Sequence, residues 1–144
     1  MQFMWILGFM ALLIILSVFD IRTKRIPIGG FISLYAYSAI YLFCSGECSF
    51  SPVTLIISVI PGLILGALSF ITEGKIGMGD ALIIAGLGMG LGIERVSYTL
   101  TGALILICLF GLFMMVTRKM NRRSQIPFVP FITLSMGVVG FVFR

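Results

Sequence analysis

The sequence predicts an all-α membrane protein, one domain over residues 1–144, built as a bundle of about six transmembrane helices. Three observations lead there. Of the 144 residues, 60% are hydrophobic and only 10% are charged, whereas a soluble domain carries about 25% charged residues. Mean hydropathy is +1.20, and the apolarity is gathered into continuous runs divided by short polar connectors. The basic residues crowd into alternate connectors, as topology signals do. Helices are the elements these runs can form in lipid, because a helix satisfies its own backbone polar groups.

The runs, in order, are 3–19, 28–44, 53–71, 81–93, 97–116 and 128–143. The first is expected to be a membrane span rather than a cleavable signal segment. No Lys or Arg precedes it and no small-residue cleavage site follows it. Arg22, Lys24 and Arg25 come after it instead. In the third, Pro61-Gly62 offers a kink, although tolerated packing is the simpler expectation. The fourth is short. The residues between Asp80 and Glu94 make about 20 Å of helix against a hydrocarbon core of about 30 Å. Asp80 is therefore expected to be held below the interface, with Asp20 nearer water. Gly86, Gly88, Gly90 and Gly92 put small residues on two faces of this run, so that two neighbours can approach it closely. Cys108, in the fifth run, is expected to be a packing residue.

With the N-terminus outside, the inner connectors hold Arg22, Lys24, Arg25, Lys75, Arg118, Lys119, Arg122 and Arg123. The outer side holds Arg95 and Arg144. This bias puts both aspartates of the chain, Asp20 and Asp80, at the cytoplasmic face. The cluster from Arg118 to Arg123 suits anionic lipid. The net charge of +5 does not imply nucleic-acid binding, because the basic residues form no helix face or aromatic-interleaved patch.

Each aspartate has a structural account. Asp20 can be neutralised by Arg22, Lys24 and Arg25, and Asp80 can serve as a helix N-cap. Together they suggest chemistry. Two carboxylates brought close cannot both ionise easily, so the pair shares a proton. Such a pair can activate water with one member and protonate a carbonyl with the other. The chain contains no His, so Ser-His and Cys-His pairs are absent. Metal-ligand spacing is absent too, and no cofactor is expected. Cys44 and Cys48 flank Ser45-Gly46-Glu47 in an outer loop. A disulfide in an oxidising compartment and two unlinked cysteines are both open. Glu73 can attract a basic segment or simply pair with Lys75.

Three stretches resemble a known family. The run from Asp20 to Pro27 (Asp-Ile-Arg-Thr-Lys-Arg-Ile-Pro) is similar to the first active-site stretch of type IV prepilin peptidases. Gly77-Met78-Gly79-Asp80 resembles their GxGD motif, and Ile126-Pro127-Phe128-Val129-Pro130-Phe131 their proline-rich segment before the last helix. The resemblance runs through the chain in order. It implies an integral aspartic endopeptidase of the bacterial inner membrane that removes the short basic leader of prepilins or pseudopilins on the cytoplasmic side. By match, Asp20 and Asp80 are the catalytic pair. Gly77 and Gly79 let the substrate backbone approach, and Pro27, Pro127 and Pro130 shape the backbone around the site. The sequence departs from the family's common residues at Ile28, Leu82 and Val129. Longer members carry an N-terminal region with paired CxxC motifs, associated with N-methylation. That region is absent from this sequence, so peptidase activity without methyltransferase activity is expected. The expected partners are a prepilin or pseudopilin and the lipid bilayer. The rival readings are a proton- or cation-coupled transporter using the same carboxylates and a non-catalytic pilus or secretion assembly factor.

Overall fold

A computed structural model describes residues 2–23, 27–44, 51–72, 77–117 and 127–142. Among these the fold is all-helical: α1 (Gln2–Thr23), α2 (Ile28–Cys44), α3 (Pro52–Ile71), α4 (Met78–Val116) and α5 (Val129–Val142). Spans within α1, α3 and α4 are long and apolar enough to cross a membrane, while α2 and α5 are shorter apolar helices. The span count of about six is not reached in separate elements among the described residues. The runs 81–93 and 97–116 form one element of 39 residues, α4, whose two helices join at Gly92 without a loop.

α4 is nevertheless not straight. Gly92 has φ 82° and ψ 167°, outside the helical region, in a part of conformational space that is essentially restricted to glycine. The neighbours of α4 show what this residue does. α2 runs parallel to the first limb, 78–91: Tyr35 Oη donates to the Leu82 carbonyl at 3.1 Å and Ser38 Oγ to that of Gly86 at 2.8 Å. α5 runs antiparallel to the second limb, 93–116: Ser135 Oγ donates to the Thr99 carbonyl at 2.7 Å, and the Phe131 ring packs at a tilt of 55° against Phe110. α1 is antiparallel to both α2 and α5, since Trp5 meets Tyr41, Ile6 meets Gly140, and Thr133 Oγ1 donates to the Leu13 carbonyl. The two limbs of α4 therefore run in opposite directions. A Cβ on Gly88 would lie 3.6 Å from Val96 Cγ1, although eight residues of straight helix would separate the two by about 12 Å along the axis.

The first limb is the centre of the bundle, and its glycines explain how. Gly86 faces Leu34 and Tyr35 of α2, Gly88 faces the Ser58 carbonyl of α3, and Gly90 faces Phe9 of α1. Removing Cβ lets three neighbours approach, one more than the spacing suggested. Ile83, Ile84 and Leu87, between these contacts, are fully buried. α3 meets the limb through Gly62, where a Cβ would sit 2.6 Å from Ala85 Cβ. Pro61 and Gly62 are both buried, so this pair serves helix packing. At the far end, Trp5, Phe9, Tyr37 and Tyr41 clasp α1 to α2, with the Phe9 and Tyr37 rings edge to face at 4.8 Å. Edge-to-face pairs of this kind add about 0.5–1.5 kcal/mol beyond area burial.

The outward faces carry Ile14, Ile15, Ile32, Ile56, Leu63, Leu109 and Phe113, all exposed. In a membrane these meet acyl chains. Cys108 also lies on an exposed face and so is not a packing residue within the bundle. Cys44 ends α2; its partner in the disulfide reading, Cys48, lies outside the described residues, as do Lys24, Arg25, Glu73, Lys75 and the cluster Arg118, Lys119, Arg122 and Arg123.

Two substitutions separate conformational from packing roles. At Gly92 a Cβ meets nothing within 4 Å, so Gly92→Ala is expected to destabilise through backbone strain alone, by about 1–3 kcal/mol. The check is thermal unfolding in detergent. Gly88→Val is expected to lower the melting temperature by separating α3 from α4, whereas Gly111→Val, where a Cβ also meets nothing within 4 Å, leaves it unchanged within a degree or two.

Candidate active site

Polar atoms collect at one end of the bundle because three helix ends meet there. α1 arrives with its C-terminus, whereas α4 and α5 begin there. Asp20 lies inside α1, which continues to Thr23, rather than after it. Its side chain is enclosed, 8% exposed. Asp80 occupies the first turn of α4 and is half-buried.

The two carboxylates reach the same level by simple geometry. Phe9 of α1 packs on Gly90 of α4, and the two helices run in opposite directions. From that crossing Asp20 lies eleven residues on along α1 and Asp80 ten residues back along α4. At about 1.5 Å per residue the two paths are nearly equal in length. By exposure Asp20 is the more enclosed side chain, while the limb that carries Asp80 ends at Gly92 and is as short as the sequence implies.

The start of α4 also differs from one expectation. Gly77, not Asp80, is the N-cap residue (φ −64°, ψ 122°), and no side chain caps the helix. Asp80 sits three positions on, its N–H donating to the Gly77 carbonyl at 3.0 Å. A carboxylate in the first turn is favoured by the helix dipole. The side chain turns back over Gly77, where an added Cβ would lie 2.8 Å from Asp80 Oδ2. The absent side chain at Gly77 is therefore what leaves room for this carboxylate. Gly79, half-buried, is the residue between.

The start of α5 meets Asp20. The Phe128 carbonyl accepts N–H bonds from Phe131 and Ile132 at 3.0 and 3.2 Å, which makes Phe128 the N-cap residue and Val129 the first helical residue. The Val129 N–H donates to Asp20 Oδ2 at 3.3 Å. Thr133 Oγ1, one turn later, donates to the Val129 carbonyl at 2.9 Å and to the Leu13 carbonyl of α1 at 3.4 Å. Phe128, Val129 and Ile132 are buried around this junction. Pro127 and Pro130 flank it, both half-buried. Pro27 stands apart: it is exposed, and its carbonyl accepts the Gly30 N–H at 2.8 Å to begin α2.

The structure thus gathers Asp20, Gly77, Gly79, Asp80, Pro127 and Pro130 at one end, with Pro27 on the adjoining rim. Sequence reasoning missed Val129, which contributes a backbone group, and Tyr35, whose hydroxyl ties α2 to the turn after Asp80. The Pro-x-x-Pro spacing at 127–130 signalled a helix start but not the anion it meets. Among the described residues no three Cys, Asp or Glu side chains converge as a metal site would require.

Comparison with known proteins adds one finding. The model of the type IV leader peptidase family matches residues 7–116, a stretch that takes in both aspartates and the whole of α4. No curated protein and no solved structure matches the chain. An all-helical apolar fold, with a family match over more than half of its length, identifies this chain as a membrane-helical peptidase that belongs to the type IV leader peptidase family.

Proposed function

We propose that this peptidase is an aspartic endopeptidase that removes the short basic leader from a type IV prepilin or pseudopilin at the cytoplasmic face of the bacterial inner membrane. The observation that carries the reading is the convergence of Asp20 and Asp80, the chain's two aspartates, at one end of an otherwise apolar bundle. The positive bias of the connectors beside that end supports the cytoplasmic placement.

Asp20 is the ionised member and Asp80 carries the shared proton. An ionised carboxylate only accepts hydrogen bonds, which suits Asp20 beside the Val129 N–H. In the first step Asp20 takes a proton from water as its oxygen attacks the scissile carbonyl, while Asp80 gives its proton to the carbonyl oxygen. In the second, the tetrahedral intermediate collapses. The C–N bond breaks, the proton on Asp20 passes to the departing amine, and the hydroxyl proton of the intermediate returns to Asp80. Both carboxyls are then as they began. Gly77 and Gly79 supply a backbone surface free of side chains, against which the extended leader junction can lie. The apolar helix of the substrate stays in the bilayer beside the bundle.

Reconstitution with a candidate prepilin tests the reading. Asp20→Asn and Asp80→Asn are each expected to reduce leader removal by about a hundredfold to ten-thousandfold, read by the mobility and N-terminal mass of the product. Cleavage that survives either substitution would refute the dyad, and carboxylate-dependent ion flux without cleavage would point to transport. Gly77→Ala is expected to lower kcat by about a hundredfold by displacing the Asp80 carboxylate. Gly29→Ala, where a Cβ meets nothing within 4 Å, leaves kcat unchanged.

A further inference from the structure

The first turn of an α-helix leaves backbone N–H groups without intrahelical partners. At α5 almost none of these is left over. Pro127 and Pro130 have no N–H to offer, and the Phe131 N–H is used by the Phe128 carbonyl at 3.0 Å. The Phe128 and Val129 N–H groups remain, and both are directed at Asp20, that of Val129 donating to Oδ2 at 3.3 Å in a buried setting. Asp20 in turn stands at the C-terminal end of its own helix, where the dipole disfavours an anion, and beside the N-terminal end of another, where the dipole favours one. Thr133 bridges α5 to the Leu13 carbonyl of α1 one turn deeper, so the two helices are pinned together at two levels.

We propose that Val129 is a positioning residue for the reaction: its backbone N–H, at the start of α5, holds Asp20 in the orientation from which its other oxygen meets water. The inference rests on the assignment of Asp20 as the water-activating carboxylate. It makes α5, which lies beyond the matched residues 7–116, part of the catalytic apparatus. It also gives the two prolines a purpose, because between them they leave only the Phe128 and Val129 donors, both facing Asp20. The role belongs to the main chain, so the side chain at 129 can vary provided it is not proline.

Proline at the first position of a helix is well tolerated and lacks the donor. Val129→Pro therefore removes the hydrogen bond while leaving a helix start, and Val129→Ala keeps the bond while removing side-chain packing. With a prepilin cleaved by the reconstituted wild type, Val129→Pro is expected to lower kcat by about tenfold to a hundredfold, the worth of a hydrogen bond to a charged group, with KM within twofold. Val129→Ala is expected to stay within about threefold of wild type, since its packing loss falls on stability. A direct signature accompanies the kinetics. In selectively labelled protein the Val129 amide proton resonance is expected to move upfield in Asp20→Asn, where a neutral acceptor replaces a charged one, while that of Gly29 stays in place. The resonance needs no active or proline-substituted protein, so it decides the matter even if Val129→Pro does not fold. Wild-type kcat in a folded Val129→Pro, or a Val129 resonance indifferent to Asp20→Asn, would overturn the inference. Cleavage that persists in Asp20→Asn would instead overturn the assignment of Asp20 itself.

Discussion

The reversal of α4 at Gly92 is the constraint on which the rest of the molecule depends. A chain crossing a membrane cannot leave backbone groups unpaired in lipid, and a loop of ordinary length would add several. One residue at φ 82° turns the chain with helix immediately on either side. The first limb is thereby freed to stand at the centre of the bundle, and the second returns towards the end at which the first began. α5 follows the second limb and so starts beside Asp20. Without the turn, a helix of 39 residues would extend for about 58 Å, and nothing would bring α5 to the carboxylates.

Close packing then sets the register. The missing Cβ atoms of Gly86, Gly88 and Gly90 bring α2, α3 and α1 against one short limb. Hydroxyl groups add direction to that packing. Ser38, Tyr35 and Ser135 each donate to a carbonyl of α4. Bonds of this kind in a membrane average about 0.6 kcal/mol, so their value lies in alignment more than in strength. The Phe9–Gly90 crossing converts this alignment into chemistry, because nearly equal lengths of α1 and α4 run from it to Asp20 and Asp80. Polar groups that would be penalised alone in lipid are gathered where the starts of α4 and α5 supply N–H groups and a dipole that favours an anion.

Much of this was legible in the sequence, and the reasons are physical. A charged fraction of 10% admits few soluble architectures, and two aspartates in a chain of apolar runs stand out by cost alone. The limits of α2 and α3 follow the apolar runs closely, since Gly, Pro and polar residues border them. The direct joint between the fourth and fifth runs was not legible. Gly92 looks like Gly86, Gly88 and Gly90 in composition, and only its φ distinguishes it. The place of Asp80 was equally ambiguous, because an acidic residue is favoured both as a cap and within the first turn; the structure puts Gly77 at the cap. Val129 could not be singled out, since the group that matters is a backbone N–H common to every residue except proline. The enclosure of Asp20 was not legible either, because it depends on α5 covering that residue and no local pattern encodes the contact.

The central claim is that Asp20 and Asp80 are one titrating unit. Because the chain has two aspartates, labelling the aspartate carboxyl carbons with 13C gives two resonances, which Asp80→Asn assigns. Titrated in detergent, coupled carboxyls each report both macroscopic steps of the pair. The account predicts a two-step curve at both carbons in the wild type and a single step at Asp20 once Asp80 is replaced by Asn. Single-step curves for both, with that of Asp20 unchanged by Asp80→Asn, would contradict it.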